Sequence, residues 1–313
     1  MDIIRLSDQI IDEGFRERAE DIYLLPYEEG FQLFFRCGQF RILKRSFSLL
    51  EGQQLITRFK YLGQMDIGEK RKPQAGSFTY ALDKQKIRLR LSSVGDYLQR
   101  ESLVIRLLYG ISESELRYFC TESFSLLAEK AAARGLYLFS GPVGSGKTTL
   151  MYRLAQEQKL QVLTVEDPVE IEVPEFLQLQ VNWKIGQDYE QLLKLALRHR
   201  PDLLIIGEIR DEKTASAAVR AALTGHRVFA TVHARDLSGT FTRINELTSR
   251  RSELTECLRG IVYQELLPND QQQPALLWSY RFFEKQGLVE RTWETAYKEA
   301  KKGDWKTTCL KRR

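Results

Sequence analysis

GLYLFSGPVGSGKTT, residues 135–149, runs from a short apolar stretch into a glycine-rich turn, and helix-forming residues follow it at once. Residues 141–148 fit the spacing G-x-x-x-x-G-K-[ST]. A strand that passes through such a turn into a helix gathers backbone N–H groups and the positive end of the helix around one point, where phosphate binds. The stretch predicts a nucleotide site whose loop is formed by Gly141, Pro142, Val143, Gly144, Ser145, Gly146, Lys147, Thr148 and Thr149.

Two side chains of this loop have predicted chemical roles. The Lys147 ammonium is expected to reach the β and γ phosphates of the nucleotide as a point charge. The Thr148 hydroxyl is expected to complete the ligand shell of a Mg²⁺ ion, since magnesium prefers oxygen ligands. The loop by itself predicts nucleotide binding and does not indicate the purpose of that binding.

The rest of the chain suggests an α/β fold in two domains. Residues 1–108 mix one helical stretch with alternating, aromatic-rich stretches and predict a small α/β domain, with a linker at 109–120. From 121 to 268, short apolar runs alternate with helical stretches, which is typical of βαβ units and a mainly parallel sheet with helices on both faces. Residues 269–313 have weak patterning and are assigned as a C-terminal extension with a basic tail.

Acidic residues and histidines follow the predicted strands of the second domain. Glu166, Asp167 and Glu170 end the run QVLTVEDPVE, and Glu208 ends the run DLLIIGE. Because ligands of open α/β sheets bind at the carboxyl edge, we expect these carboxylates there, with Thr148, Asp167 and Glu208 as candidate Mg²⁺ ligands. His226 and His233 bracket the next run, HRVFATVHA, and are also candidates.

Charge and cysteine usage limit the class of protein. The net charge of +5 lies in residues 298–313, which hold seven Lys or Arg against two acids, so a nucleic-acid groove is not indicated. This tail is either a solvated end or a contact for an anionic membrane surface or acidic partner. The four cysteines are scattered with no CxxC spacing, which argues against zinc and favours a reducing cytoplasm. Neither a signal peptide nor a bilayer-spanning run is indicated.

Taken together, these motifs resemble the secretion ATPases of type II secretion and type IV pilus assembly. GPVGSGKTT is similar to the family's Walker A motif and VEDPVE (165–170) to its aspartate box. LIIGEIRD (204–211) is similar to its Walker B motif and TGHRVFATVHA (224–234) to its histidine box. In the first half, DIGEKRKPQAGS (66–77) resembles the segment that joins strands of the family's amino-terminal domain, and RLRLSSV and ESLVIRLL resemble stretches that supply arginines.

The resemblance implies a fold and a mechanism. It implies a PAS-like first domain and a RecA-like P-loop ATPase domain, assembled as a hexamer with Mg-dependent ATP hydrolysis between the two domains of each subunit. Glu166 or Glu208 polarises the attacking water, and the residues do not decide between them. His233 senses the γ phosphate with His226 close by, and Arg90 and Arg106 are the implied arginine fingers.

Within the family, the chain is most similar to the short ATPases of the competence pilus in Gram-positive bacteria. An extra amino-terminal domain, a four-cysteine zinc motif and the Ala-Ile-Arg-Asn-Leu-Ile-Arg motif of retraction motors are not found. The chain departs from the family pattern at Tyr23, where histidine is usual, at Gln74–Ser77, where an arginine is missing, and at Glu265, which replaces another arginine.

The function implied is a motor that powers competence-pilus assembly for DNA uptake in natural transformation. Its implied partner is a polytopic inner-membrane platform protein, which places the motor at the cytoplasmic face of the cell membrane. A nucleotide-gated scaffold with negligible turnover, a retraction motor and a DNA-translocating motor stay open as alternatives. The even charge balance of residues 1–297 argues against direct nucleic-acid binding.

Overall fold

The computed structural model describes residues 2–37, 40–81, 86–109, 116–119, 121–182, 185–284 and 287–310. The chain divides into two compact units, residues 1–110 and 111–313. Of the predicted linker at 109–120, residues 110–115 and 120 lie outside the described residues, and residues 116–118 form a short strand of the second unit.

The first unit is an antiparallel sheet with two helices. Its strands lie in the order β3-β2-β1-β6-β5-β4. The helices are α1 Ile3–Arg16 and α2 Leu49–Leu62, and the strands are β1 Asp21–Tyr27, β2 Gly30–Cys37, β3 Phe40–Ser48, β4 Gln74–Ala81, β5 Lys86–Gly95 and β6 Glu101–Leu108.

Both helices of this unit pack on the same face of the sheet. Helix α1 begins at Asp2, whose side chain accepts from the Ile4 N–H, and α2 begins at Ser48 in a capping box with Glu51. Apolar side chains of both helices join every second residue of the strands in one buried cluster. Because side chains alternate along a strand, the residues between them project from the other face, where polar and charged groups are accommodated.

The second unit is a ten-stranded, mostly parallel sheet with helices. Its main path is β10-β9-β11-β12-β8-β13-β14-β7-β16, and β15 pairs with β14. The strands are β7 Leu116–Tyr118, β8 Gly135–Ser140, β9 Val162–Glu166, β10 Leu177–Gln180, β11 Leu203–Ile206, β12 Arg227–Thr231, β13 Leu258–Pro268, β14 Pro274–Glu284, β15 Gly287–Arg291 and β16 Thr308–Leu310. The helices are α3 Thr121–Lys130, α4 Lys147–Glu157, α5 Tyr189–Arg198, α6 Glu212–Leu223, α7 Leu237–Leu247, α8 Arg251–Cys257 and α9 Trp293–Lys302.

Neighbouring strands from β10 through β13 are all parallel, and helices cover both faces of this part of the sheet. Helices α5 to α8 contribute to one buried cluster and α3 and α4 to a second. Strands β8, β9 and β11 are therefore buried at every position, as expected of strands covered on both sides. The predicted α/β fold with a mainly parallel sheet is confirmed.

The C-terminal segment, which was expected to be an extension outside the core, forms part of the sheet of the second unit. Strand β14 pairs with β13 from Gly260↔Phe282 to Pro268↔Pro274, and α9 packs on β14 through Ala296 and Ala300. Because β14 is buried on both faces, its sequence PALLWSYRFFE lacks the alternation that would have revealed a strand. The sheet therefore continues past residue 268. Among the described helices, none has both the length and the apolar character that crossing a bilayer requires.

Candidate nucleotide site

The predicted phosphate loop follows β8 and ends in α4. Gly141, Gly144 and Gly146 have φ values of +145°, +77° and +78°, a backbone region that favours glycine. A Cβ on Gly141 would also lie 2.1 Å from the Gln264 carbonyl oxygen, so no other residue fits there. Helix α4 has no side-chain hydrogen bond at its N-cap, which leaves the first amides of the helix for an anion.

Lys147 lies where several strand ends meet. Its Nζ donates to the carbonyl oxygens of Gly141 at 3.0 Å and Pro142 at 2.8 Å. Burial lowers the pKa of Lys147, and the negative charges of Glu208 and Glu170 act in the opposite direction. Strands β9, β11, β12 and β8 are parallel neighbours in this order, so their carboxyl ends bring the predicted residues to one edge of the sheet.

Glu208 forms a polar cluster directly after β11. Its Oε1 lies 3.1 Å from His233 Nε2, and its Oε2 accepts from Arg210 Nε at 2.5 Å. Its side chain is 17% exposed, so the carboxylate can reach solvent and a ligand. His233 follows β12, the neighbour of β11 in the sheet, and this adjacency brings the predicted Walker B acid and one predicted histidine together.

Glu166, the last residue of β9, has a different environment. It is 3% exposed, and its Oε1 accepts from Tyr152 Oη at 2.5 Å and Thr164 Oγ1 at 2.6 Å. Burial raises the pKa of Glu166, although these hydrogen bonds act to lower it. A carboxylate of this kind takes up a proton more readily than a carboxylate exposed to water.

The candidate magnesium ligands supply few oxygens by themselves. Thr148 is half-buried in the first turn of α4, and Asp167 is half-buried just after β9. Over the part of the chain that the structure describes, no three His, Cys, Asp or Glu side chains converge as a metal site. This donor set fits an ion such as Mg²⁺, which keeps several waters and takes phosphate oxygens as ligands alongside one or two protein groups.

His226 lies at the amino ends of the parallel strands, whereas Lys147 lies beyond their carboxyl ends. His226 precedes β12, whereas His233 follows it, and the five residues of β12 alone span about 17 Å at ~3.3 Å per residue. Its Nδ1 lies 3.2 Å from Thr224 Oγ1 and 3.2 Å from the Ala221 carbonyl oxygen. The structure therefore does not bring His226 together with His233, contrary to the expectation that the two lie close to one another.

Arg90 and Arg106 belong to the first unit and are cross-strand neighbours in β5 and β6. Arg106 Nε donates to Asp21 Oδ1 at 2.7 Å, and the Asp21 carboxylate is buried beneath it. The register places one residue from each of the six strands in a single row, on the face of the sheet away from α1 and α2. From β3 to β4, this row is formed by Arg41, Arg36, Asp21, Arg106, Arg90 and Ser77. The two predicted arginines thus lie side by side in a mainly basic row.

A sequence profile described as "Type II/IV secretion system protein" matches residues 1–303. The chain belongs to this family. The resemblance inferred from the four sequence motifs is therefore confirmed.

Individual relatives show which members of the family the chain resembles. The chain is 46% identical to "Competence protein ComGA" of Streptococcus pneumoniae over 84% of each protein. It is 41% identical to the Bacillus subtilis protein of the same name, over 85% of this chain and 76% of the relative. Among solved structures, the Legionella pneumophila ATPase DotB shares the fold with a TM-score of 0.70 and 22% identity, covering 89% of this chain and 81% of that one.

Three residues around the site lie outside the four motifs that resemble the Walker A, aspartate, Walker B and histidine boxes. Tyr152 lies inside α4, Thr164 lies inside β9, and Gln264 lies inside β13, so none of them belongs to a loop that follows a strand. Thr164 and Gln264 are polar residues within buried runs, which is a weak signal that something in the fold requires them. Tyr152 carries no such signal, because tyrosine is common in helices that border a core.

Proposed function

We propose that this family member is an ATP-hydrolysing motor that powers assembly of a competence pilus for DNA uptake. The observation that carries the proposal is that β8, β12 and β11 are parallel neighbours, so that Lys147, His233 and Glu208 follow their carboxyl ends beside a glycine loop whose helix amides lack a cap. The competence relatives, which match over most of their length, support the biological role.

The reaction we propose is phosphoryl transfer from ATP to water. Such catalysis consists mainly of positioning and charge neutralisation. Lys147 leaves the Gly141 and Pro142 carbonyls to bind the phosphates, and the loop amides complete the cradle. A magnesium ion, held by Thr148 with Asp167 and Glu208 nearby, would neutralise charge on the β and γ phosphates.

Of the two candidate acids, we assign Glu166 to the attacking water. A general base works best when its pKa lies close to the working pH, and burial raises the pKa of Glu166 towards that range. Glu208 is held by His233 and Arg210, so we assign it with His233 to sensing the γ phosphate and holding the ion.

The remaining roles are also part of this proposal. Arg90 and Arg106 act as arginine fingers on ATP, and hydrolysis releases that hold. The working form is a homohexamer that acts at the cytoplasmic face of the membrane on a polytopic platform protein.

The experiment is ATPase turnover measured against protein concentration, with the oligomeric state followed by light scattering. Turnover per subunit should rise as the protein assembles, because the proposed working form is the homohexamer. Absence of turnover at every concentration, with nucleotide binding retained, would favour a nucleotide-gated scaffold. A gel-shift titration with duplex DNA at low salt tests the translocating motor, and we expect no shift.

A further inference from the structure

Gln264 lies in β13 and is completely buried. Between Gly260 and Pro268 it is the only residue with an amide side chain. We propose that Gln264 is a positioning residue that sets the direction of one phosphate-facing amide of the loop at 141–149. This inference depends on the proposed nucleotide site and adds a residue from the stretch VYQEL (262–266), directly before Glu265.

The backbone of β13 runs directly beside the loop. Tyr263 pairs with Ser140, the last residue of β8, so Gln264 is level with the start of the loop. The contact between Gly141 and the Gln264 carbonyl is so close that a Cβ on Gly141 would lie 2.1 Å from that oxygen. The loop therefore leaves the sheet in van der Waals contact with β13.

The side chain of Gln264 reaches the far part of the same loop. Its Nε2 donates to the Ser145 carbonyl oxygen at 2.7 Å, in a hydrogen bond that is buried. In a trans peptide the C=O and the following N–H point in opposite directions. Because Gln264 holds the Ser145 carbonyl against β13, the Gly146 N–H of the same peptide points away from β13. Gly146, with a φ of +78°, is the N-cap residue of α4.

This bond differs from the other contacts that hold the loop. Lys147 Nζ donates to Gly141 and Pro142, and it must give up those bonds to reach a phosphate. Neither the Gln264 amide nor the Ser145 carbonyl is needed to bind a phosphate, so this bond can persist while a nucleotide is bound. The bond therefore links the loop to the sheet both with and without a bound nucleotide.

The unpaired end of the amide supports a specific role. Gln264 Oε1 is buried and has no hydrogen-bond partner in the described part of the chain. An unsatisfied buried carbonyl oxygen is unfavourable, so an apolar side chain of similar length would pack there at lower cost. The amide is therefore best explained by what its N–H group does, which is to hold Ser145.

The test uses the full chain with pyrophosphate as the probe, because pyrophosphate binds the phosphate cradle without the base or the sugar. Binding is followed by competition against a fluorescent ADP analogue. Gln264→Met keeps the length and removes the donor, and it should weaken both ligands by about tenfold or more. Gln264→Leu also lacks the N–H and adds no charge, so it is the second variant if Gln264→Met folds poorly, and it should weaken the binding of both ligands likewise.

The control is Leu277→Ala, which lowers stability from the neighbouring strand β14 within a separate buried cluster. It should lower the thermal midpoint and leave pyrophosphate affinity unchanged. A folded Gln264→Met or Gln264→Leu protein with wild-type pyrophosphate affinity overturns the inference, provided that Lys147→Ala has lost binding. If wild-type protein binds neither pyrophosphate nor nucleotide, the proposed function itself fails.

Discussion

The two units present their charged residues in different ways. In the first unit, the arginines lie in the middle of strands, in a row that crosses the sheet. In the second unit, the strands next to the site are apolar at nearly every position, and Lys147, Glu208 and His233 come after the strands end. The reason is that helices cover one face of the antiparallel sheet but both faces of the parallel one.

This difference affects how each unit can act on a ligand. The paired strands hold the backbone of such a row at fixed spacing, so the row can present several positive charges together. Loops after strand ends can rearrange, and Lys147 must do so because its ammonium is bound to loop carbonyls. We therefore expect binding to depend mainly on the second unit and the rate of hydrolysis to depend on both.

The largest expected effect is that of Lys147→Ala. Removing this charge should abolish nucleotide binding and reduce hydrolysis to background, because no other lysine lies within the loop at 141–149. Binding of a fluorescent ADP analogue and phosphate release provide the two measurements. Tight ADP binding by this variant would contradict the assignment of the second unit as the binding unit.

The second prediction concerns the first unit. Arg90→Ala should keep nucleotide affinity and lower turnover by about 10³-fold or more, as for loss of an arginine finger. Arg41→Ala is the matched control, since it lies in the same row, at the edge strand, and stacks on Phe34 with its guanidinium carbon 4.5 Å from the ring centroid. Equal turnover in the two variants would show that the row has no specific part in hydrolysis.

A third, smaller effect is expected for Glu166→Gln. Turnover should fall by about 10²- to 10⁴-fold, the usual contribution of a general base. The amide oxygen can still accept from Tyr152 and Thr164, because both bonds go to one oxygen of the carboxylate.

The same substitution, Glu166→Gln, should raise the stability of the protein at high pH although it lowers turnover. Because burial raises the pKa of Glu166, ionising it in the folded protein is unfavourable, and its contribution to stability falls as pH rises through that pKa. Glu166→Gln should therefore raise the thermal midpoint at pH 8 relative to wild type, and the difference should shrink towards pH 5. A midpoint lowered at pH 8 would show that the charged form is the stable one.

The smallest effect is expected at the other edge of the parallel sheet. His226→Ala should leave turnover of the assembled protein within about twofold of wild type, because surface changes away from a site are mostly neutral. His233→Ala, in contrast, removes the partner of Glu208 and should slow hydrolysis. A loss of turnover in His226→Ala equal to that in His233→Ala would place both histidines in one functional unit.

Much of the fold follows from local patterns in the sequence. The phosphate loop is predictable because its glycine spacing reflects backbone angles that few other residues adopt. The alternation of apolar runs with helical stretches predicts the parallel sheet for a similar reason. The separation of His226 from His233 could also have been predicted, since residues before and after one parallel strand lie at opposite edges.

Other features could not be predicted because they depend on contacts between distant residues. The pairing of Arg90 with Arg106 depends on the register of β5 and β6, and the burial of Glu166 depends on Tyr152 from another element. Gln264 reaches Ser145, which is 119 residues away in sequence. Strand β14 was missed because continuous burial removes the alternation on which strand prediction relies.

The pairing of β14 with β13 has a practical consequence for protein engineering. A protein shortened after Pro268 would retain every recognised motif and would lose the strand that covers β13. The unpaired backbone of β13 would then form an open sheet edge, which invites association between chains and aggregation. Truncated versions should therefore end beyond α9, and an inactive shorter version would reflect misfolding rather than absent chemistry.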